Sequence, residues 1–222
     1  MSWLPLGGAL VLLMIDSAIE LALISSMVGY LHRSGANKYP FLSDTGAVAF
    51  IGPKPKGLLL NEGHTSNGAS GTALILVCFC GFLVLWNERR RERRSRTRKP
   101  SGLFITWTVF TVLSWLLTLS AMAYTFAVTN QTKGQKIDKA VAVQFQGEAY
   151  PLQKWTPENW HKALLALPIT SDKDAKYLHH WLRVIEGWKW NLIPMFFIGL
   201  LVAALSVRMC LQDRIQRRMT KA

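Results

Sequence analysis

Apolar residues in this chain come in long blocks, and four blocks approach the roughly 20 consecutive apolar residues that an α-helix needs to cross a bilayer. They run from Leu4 to Tyr30, Gly71 to Trp86, Leu103 to Val128 and Asn191 to Leu211. The second is the shortest, and the small polar residues Ser66–Ser70 before it offer an extension. The pattern predicts an all-α integral membrane protein: one domain of four transmembrane helices over residues 1–222, with loops at 31–70, 87–102 and 129–190. A cleaved signal peptide competes for the first block. The absence of Lys and Arg from Met1-Ser2-Trp3, and the interruption by Asp16 and Glu20, favour an uncleaved span.

The loops carry signals of their own. In 129–190, Thr156-Pro157-Glu158 reads as an N-cap, a proline at the first helical position and an acid in the first turn. The helix that follows, to about Leu167, would place Trp160, Leu164 and Leu167 on one face, and Pro168 ends it. Ser171-Asp172-Lys173-Asp174 opens a second helix with the apolar stripe Leu178, Trp181, Leu182 and Ile185, and Gly187 suits its stop. A short amphipathic helical pair is therefore expected between spans three and four, resting as a cap on the bundle or on the membrane interface. The loop 31–70, with Gly52-Pro53-Lys54-Pro55-Lys56-Gly57, is expected to be irregular.

Charge sets the orientation. Half of the 222 residues are apolar, yet the formal net charge is +13, so charged and apolar residues must be segregated. Eight of the 26 Lys and Arg fall in Asn87–Gly102 and five follow Val207, whereas the nine in 129–190 are diluted among six acids. Dense basic residues beside span ends face the cytoplasm. Both termini and the basic loop 87–102 are thus expected inside, and loops 31–70 and 129–190 outside. Asn130-Gln131-Thr132, the one glycosylation sequon, then falls on the outer side and makes Asn130 the glycosylation candidate of a glycoprotein. Tyr30, Trp86, Trp188 and Trp190 read as an aromatic belt. Endoplasmic reticulum and plasma membrane are not distinguished.

The run Arg89–Lys99 would suggest nucleic acid in a soluble protein; flanked by two spans it reads instead as a topogenic loop that attracts anionic lipid head groups. The bilayer and those lipids are the expected partners, with a protein partner or a homo-oligomer left open. The stripes Ala18, Ala22, Ser26 and Gly199, Ala203 predict close helix packing within or between chains. Cys78, Cys80 and Cys210 fall in spans and read as buried thiols, and His32, His64, His161, His179 and His180 read as surface residues. No metal site or cofactor is expected.

The candidate chemistry is the pair Asp16 and Glu20, four residues apart on one face of the first span. Each costs about 2.5 to 3.5 kcal/mol at the centre of an inserted helix. With no Lys, Arg or His at that depth in the other spans, the compensation must be protonation, water or hydrogen bonds. Thr111, Ser114 and Thr118, with Thr125, recur along one face of the third span and could supply donors to a polar seam. Three roles are open to the pair: helix-to-helix glue, a proton- or cation-coupled transport site, or the acid and base of an intramembrane cyclase or isomerase.

Tyr39-Pro40-Phe41-Leu42-Ser43-Asp44-Thr45-Gly46 resembles the Pro-Tyr-Ile-Ser-Asp-Thr-Gly stretch that follows the first span in the six-span Frag1/DRAM family. The likeness covers eight residues, the chain has two spans fewer, and it implies a turn in a similar place without implying a function. Tetraspanins and claudins share the span count but carry extracellular cysteine motifs that this chain lacks. The reading that remains is an accessory, scaffolding or partner-binding membrane component, with transport and intramembrane catalysis through Asp16 and Glu20 as alternatives.

Overall fold

The computed structural model describes residues 3–34, 37–95 and 99–219, and side chains for all of these but 95 and 213–219. Arg96, Thr97 and Arg98 of the basic segment, and the basic side chains after Gln212, lie outside the described residues. Four long helices are apolar enough to cross a membrane: Leu4–Arg33, Asn61–Arg94, Gly102–Gln131 and Asp172–Gln212. In chain order the elements are α1 (Leu4–Arg33), strands β1 (Tyr39–Leu42) and β2 (Val48–Ile51), α2 (Asn61–Thr72), a π-helical stretch (Ala73–Phe79), α3 (Cys80–Ser95), α4 (Gly102–Gln131), α5 (Lys139–Phe145), α6 (Pro157–Leu165) and α7 (Asp172–Met219).

Each spanning helix is longer than its apolar block, because helix formation does not stop where hydrophobicity does. The second continues into the basic segment through Arg94, where Arg90 stacks over Trp86 at 4.1 Å. The connection between the second and third spans is therefore helical over its first residues, through Ser95: good helix formers such as arginine and glutamate extend an existing helix at little cost. Asn61–Thr72 likewise adds polar turns before the apolar stretch.

The chain packs as two units. The first comprises residues 1–21, 66–122 and 191–222, and its core gathers Leu6, Leu10, Leu13, Ala73, Val77, Cys78, Phe104, Trp107, Met195 and Val202. Here the π-helical stretch has a visible use, since the Val77 carbonyl accepts a hydrogen bond from Trp107 Nε1 at 3.1 Å. Gly81, one turn on, lies so close to the Trp107 ring that a Cβ would stand 2.7 Å from its Cζ2. Gly199 and Ala203 are buried as their small size suggests, whereas Ala18, Ala22 and Ser26 are exposed.

The second unit comprises residues 22–65 and 123–190. Its core is aromatic: Trp155 and Trp160 meet edge-on at 5.2 Å, Tyr150 lies 5.7 Å from Trp160, and Tyr39 and Phe41 join them. The loop expected to be irregular holds a β-hairpin, with Tyr39 opposite Ile51 and Leu42 opposite Val48. The expected turn is present over Ser43–Ala47, with Gly46 at φ 77°. The glycine-proline segment after it is irregular but pinned by parallel bridges from Pro55 to Tyr150 and Leu58 to Trp155.

The helical pair between spans three and four takes a different form from the one expected. Thr156 caps α6, accepting from the Asn159 amide at 3.3 Å, and Pro157 opens it. Ser171 caps the next helix, accepting from the Asp174 amide at 3.3 Å, but that helix does not stop at Gly187. The apolar row Leu178, Ile185, Trp188, Leu192, Met195 continues at helical spacing, so the second short helix is the start of α7.

Candidate functional site

In the first unit, α1 places Asp16 and Glu20 one turn apart on the same face. Glu20 is fully buried and neither of its carboxyl oxygens has a hydrogen-bond partner; Asp16 Oδ2 is buried and unpartnered as well. Asn191, from α7, faces the Glu20 carboxyl, while its amide nitrogen donates to the Asp16 main-chain carbonyl at 3.3 Å. A pair of this kind can take up and release a proton or hold a cation.

Thr111, Ser114 and Thr118 are all buried on one face of α4, as their spacing implies. Their hydroxyls do not reach the carboxyls. Thr111 donates to the Trp107 carbonyl at 2.9 Å and Thr118 to the Ser114 carbonyl at 3.1 Å, which commits both protons to the preceding turn of their own helix. With Leu13, Ala73, Val77, Trp115 and Gly199, the three line a cavity of about 10 Å³, space for about one water molecule. Thr125 belongs to the second unit.

The second unit holds polar chemistry that the amphipathic reading of α6 overlooked. That helix is buried on nearly every side, Lys162 excepted. Its polar residues are each partnered, which is what permits their burial. Asn159 Nδ2 donates to the Thr129 carbonyl and to Thr132 Oγ1, both at 2.7 Å. Glu158 takes Lys162 Nζ at 2.6 Å on one oxygen and Lys189 Nζ at 2.6 Å on the other, the latter an ion pair rather than an aligned hydrogen bond. Lys162 also meets Glu186 at 2.9 Å. Partial burial lowers the Lys162 pKa, but Glu158 and Glu186 outweigh it and hold the ammonium above its usual value. Glu62, only 2% exposed, adds a third carboxylate that feels Glu158 and Lys189 and leaves Oε2 without a partner.

His161 is fully buried, which corrects its reading as a surface residue. Its Nδ1 lies 2.7 Å from the Pro157 carbonyl, an acceptor, so Nδ1 carries the proton. Nε2, 2.9 Å from the Tyr30 hydroxyl, is then the acceptor. Burial pulls the imidazole pKa down to about 4, against a small lift from the Pro157 carbonyl, so it is neutral at physiological pH. Tyr30 stacks on Trp181 at 4.2 Å. Tyr30 and Trp188 are thus core residues rather than belt residues, while Trp86 and Trp190 are exposed.

Asn130 is exposed in the last turn of α4, whereas the sequon threonine, Thr132, is buried and accepts from Asn159. Among the described residues, no group of three His, Cys, Asp or Glu is arranged to hold a metal ion.

Four apolar helices of spanning length make the chain a multi-pass α-helical membrane protein. Compared with protein-family models, curated proteins and solved structures, it matches none, so the likeness of Tyr39–Gly46 to the Frag1/DRAM stretch remains local.

Proposed function

We propose that the chain is a partner-binding component of its membrane, anchored by its four helices and recognising an apolar surface of another membrane protein through the hairpin of the second unit, on the outer face. One observation carries this reading: the hairpin is apolar on both faces. Tyr39, Phe41, Ala49 and Ile51 point into the core, while Leu42, Val48 and Phe50 are 42%, 55% and 40% exposed. Pairing Leu42 with Val48, and Pro40 with Phe50, gathers them into one outward patch. A strand pair with one solvated face ordinarily alternates apolar with polar residues, and clustered exposed apolar side chains mark interaction surfaces. The partnered polar side chains of α6 and the aromatic core give that patch a firm support.

The test is the size of the complex released from native membranes in a mild detergent. Leu42→Ser with Val48→Ser and Phe50→Ser is expected to reduce it to the single chain while thermal stability holds, because the three side chains face away from the core. Asp16→Asn with Glu20→Gln is expected to leave the complex intact. The reverse pattern, assembly kept by the hairpin variant and activity lost by the carboxyl variant, would contradict partner binding and favour proton- or cation-coupled transport.

A further inference from the structure

In the first unit, the first turn of α1 and residues 205–212 of α7 leave a cleft between them that no described side chain fills. Its volume is about 200 Å³ and its walls are Pro5, Leu6, Leu205, Arg208, Met209 and Gln212. A more open hollow of about 570 Å³ adjoins it along α7, lined by Ala204, Val207 and Leu211 together with the same Arg208 and Gln212. The two spaces share a polar head, formed by one guanidinium and one amide, over walls that are otherwise aliphatic or thioether.

Charge at this end of the unit has one sign in excess. Arg208 is exposed, and among the described residues no carboxylate pairs with it. It is the first charged residue on the helix after Lys189, so it stands where the apolar run ends and the head-group region of a bilayer begins. The start of α1 is tied to the end of α3 by Trp3 Nε1, which donates to Glu92 Oε2 at 2.9 Å. That contact brings the arginines of α3, from Arg89 to Arg94, to the same end. The resulting positive field concentrates anionic lipid there.

We propose that this cleft binds one anionic glycerophospholipid from the adjacent leaflet, its phosphodiester on the Arg208 guanidinium and the Gln212 amide and an acyl chain along Leu205 and Leu211. Guanidinium donors match phosphate oxygens in a planar fork, which an ammonium cannot do. The aliphatic walls select an amphiphile over a free phosphate. The arginines of α3 at 89, 90, 93 and 94 are exposed and attract the same anionic lipid through solvated charge, so their binding is weak, multiple and salt-sensitive.

The test uses the purified full chain in a nonionic detergent, titrated with phosphatidylserine, phosphatidylcholine or water-soluble glycerophosphoserine, and read by native mass spectrometry and thermal unfolding. Phosphatidylserine is expected to bind at one tight site per chain and to raise the unfolding midpoint, with neither control doing so at equal concentration. Arg208→Gln weakens that site about fivefold to tenfold. Leu205→Trp, which fills the cleft and keeps the arginine, weakens it as well and decides the matter should Arg208→Gln fail to fold. Arg90→Gln with Arg93→Gln and Arg94→Gln removes only the weak, salt-sensitive binding. Unchanged tight binding in the Arg208 or Leu205 variant, equal binding of phosphatidylcholine or glycerophosphoserine, or loss of the tight site in the α3 variant would each overturn the proposal.

Discussion

His161 shows how much a single buried side chain can govern the second unit. The folded chain keeps its imidazole neutral down to about pH 4, whereas an unfolded chain protonates it near 6.5. Between those values the unfolded state binds more protons, so stability rises with pH; it is complete above about 6.5 and is lost as pH falls toward 4. The window is worth on the order of 3 kcal/mol. Thermal unfolding from pH 4 to pH 8 is therefore expected to show a slope in the wild type that flattens in His161→Gln. An equal slope in both would mean that the imidazole protonates without leaving its place between Tyr30 and Pro157. The same residue marks a limit of sequence reading. A lone histidine among Glu158, Asn159 and Lys162 looks solvated, and only the arrival of Tyr30, Thr129, Thr132 and Lys189 from distant parts of the chain supplies the partners that let the polar face be buried.

At the scale of elements, what was legible followed from local physics. Length and hydrophobicity gave the four spans, and the caps at Thr156 and Ser171 lie where their side chains predicted. The polar face Thr111, Ser114 and Thr118 is buried as its spacing implied, but which groups it would bond was not readable. A hydroxyl in an apolar helix has its own preceding carbonyl always within reach, so the carboxyls of α1 could not compete. The hairpin was missed because Pro40 and the glycine-proline segment read as loop, whereas β1 is held by β2 close by in sequence and by the bridge from Phe41 to Ile169, which lies far away.

Gly187 is the sharpest case, since a glycine after an amphipathic stripe signals a helix end and here it sits inside α7. A Cβ at this position would stand 3.7 Å from Leu23 Cδ1, an ordinary contact. Gly187→Ala is accordingly expected to raise the stability of the purified chain by about 0.5 to 1 kcal/mol. A loss of that size would show instead that the helix breaks there.

For the whole molecule, the proposed reading rests on two features, four helices of membrane-spanning length and a hairpin that is apolar on both faces. The first unit carries the basic end of α3; the second carries α6, whose polar side chains are each partnered. Asp16 and Glu20 remain an acidic pair on one face of α1, with Asn191 facing the Glu20 carboxyl. The measurement that tests the account most directly is photo-cross-linking in native membranes with a photoreactive residue at Val48, with Lys173 as an exposed control. The account predicts one discrete protein adduct at Val48, absent at Lys173 and abolished by Leu42→Ser with Phe50→Ser. Adducts to lipid alone, or none from a folded chain, would contradict it.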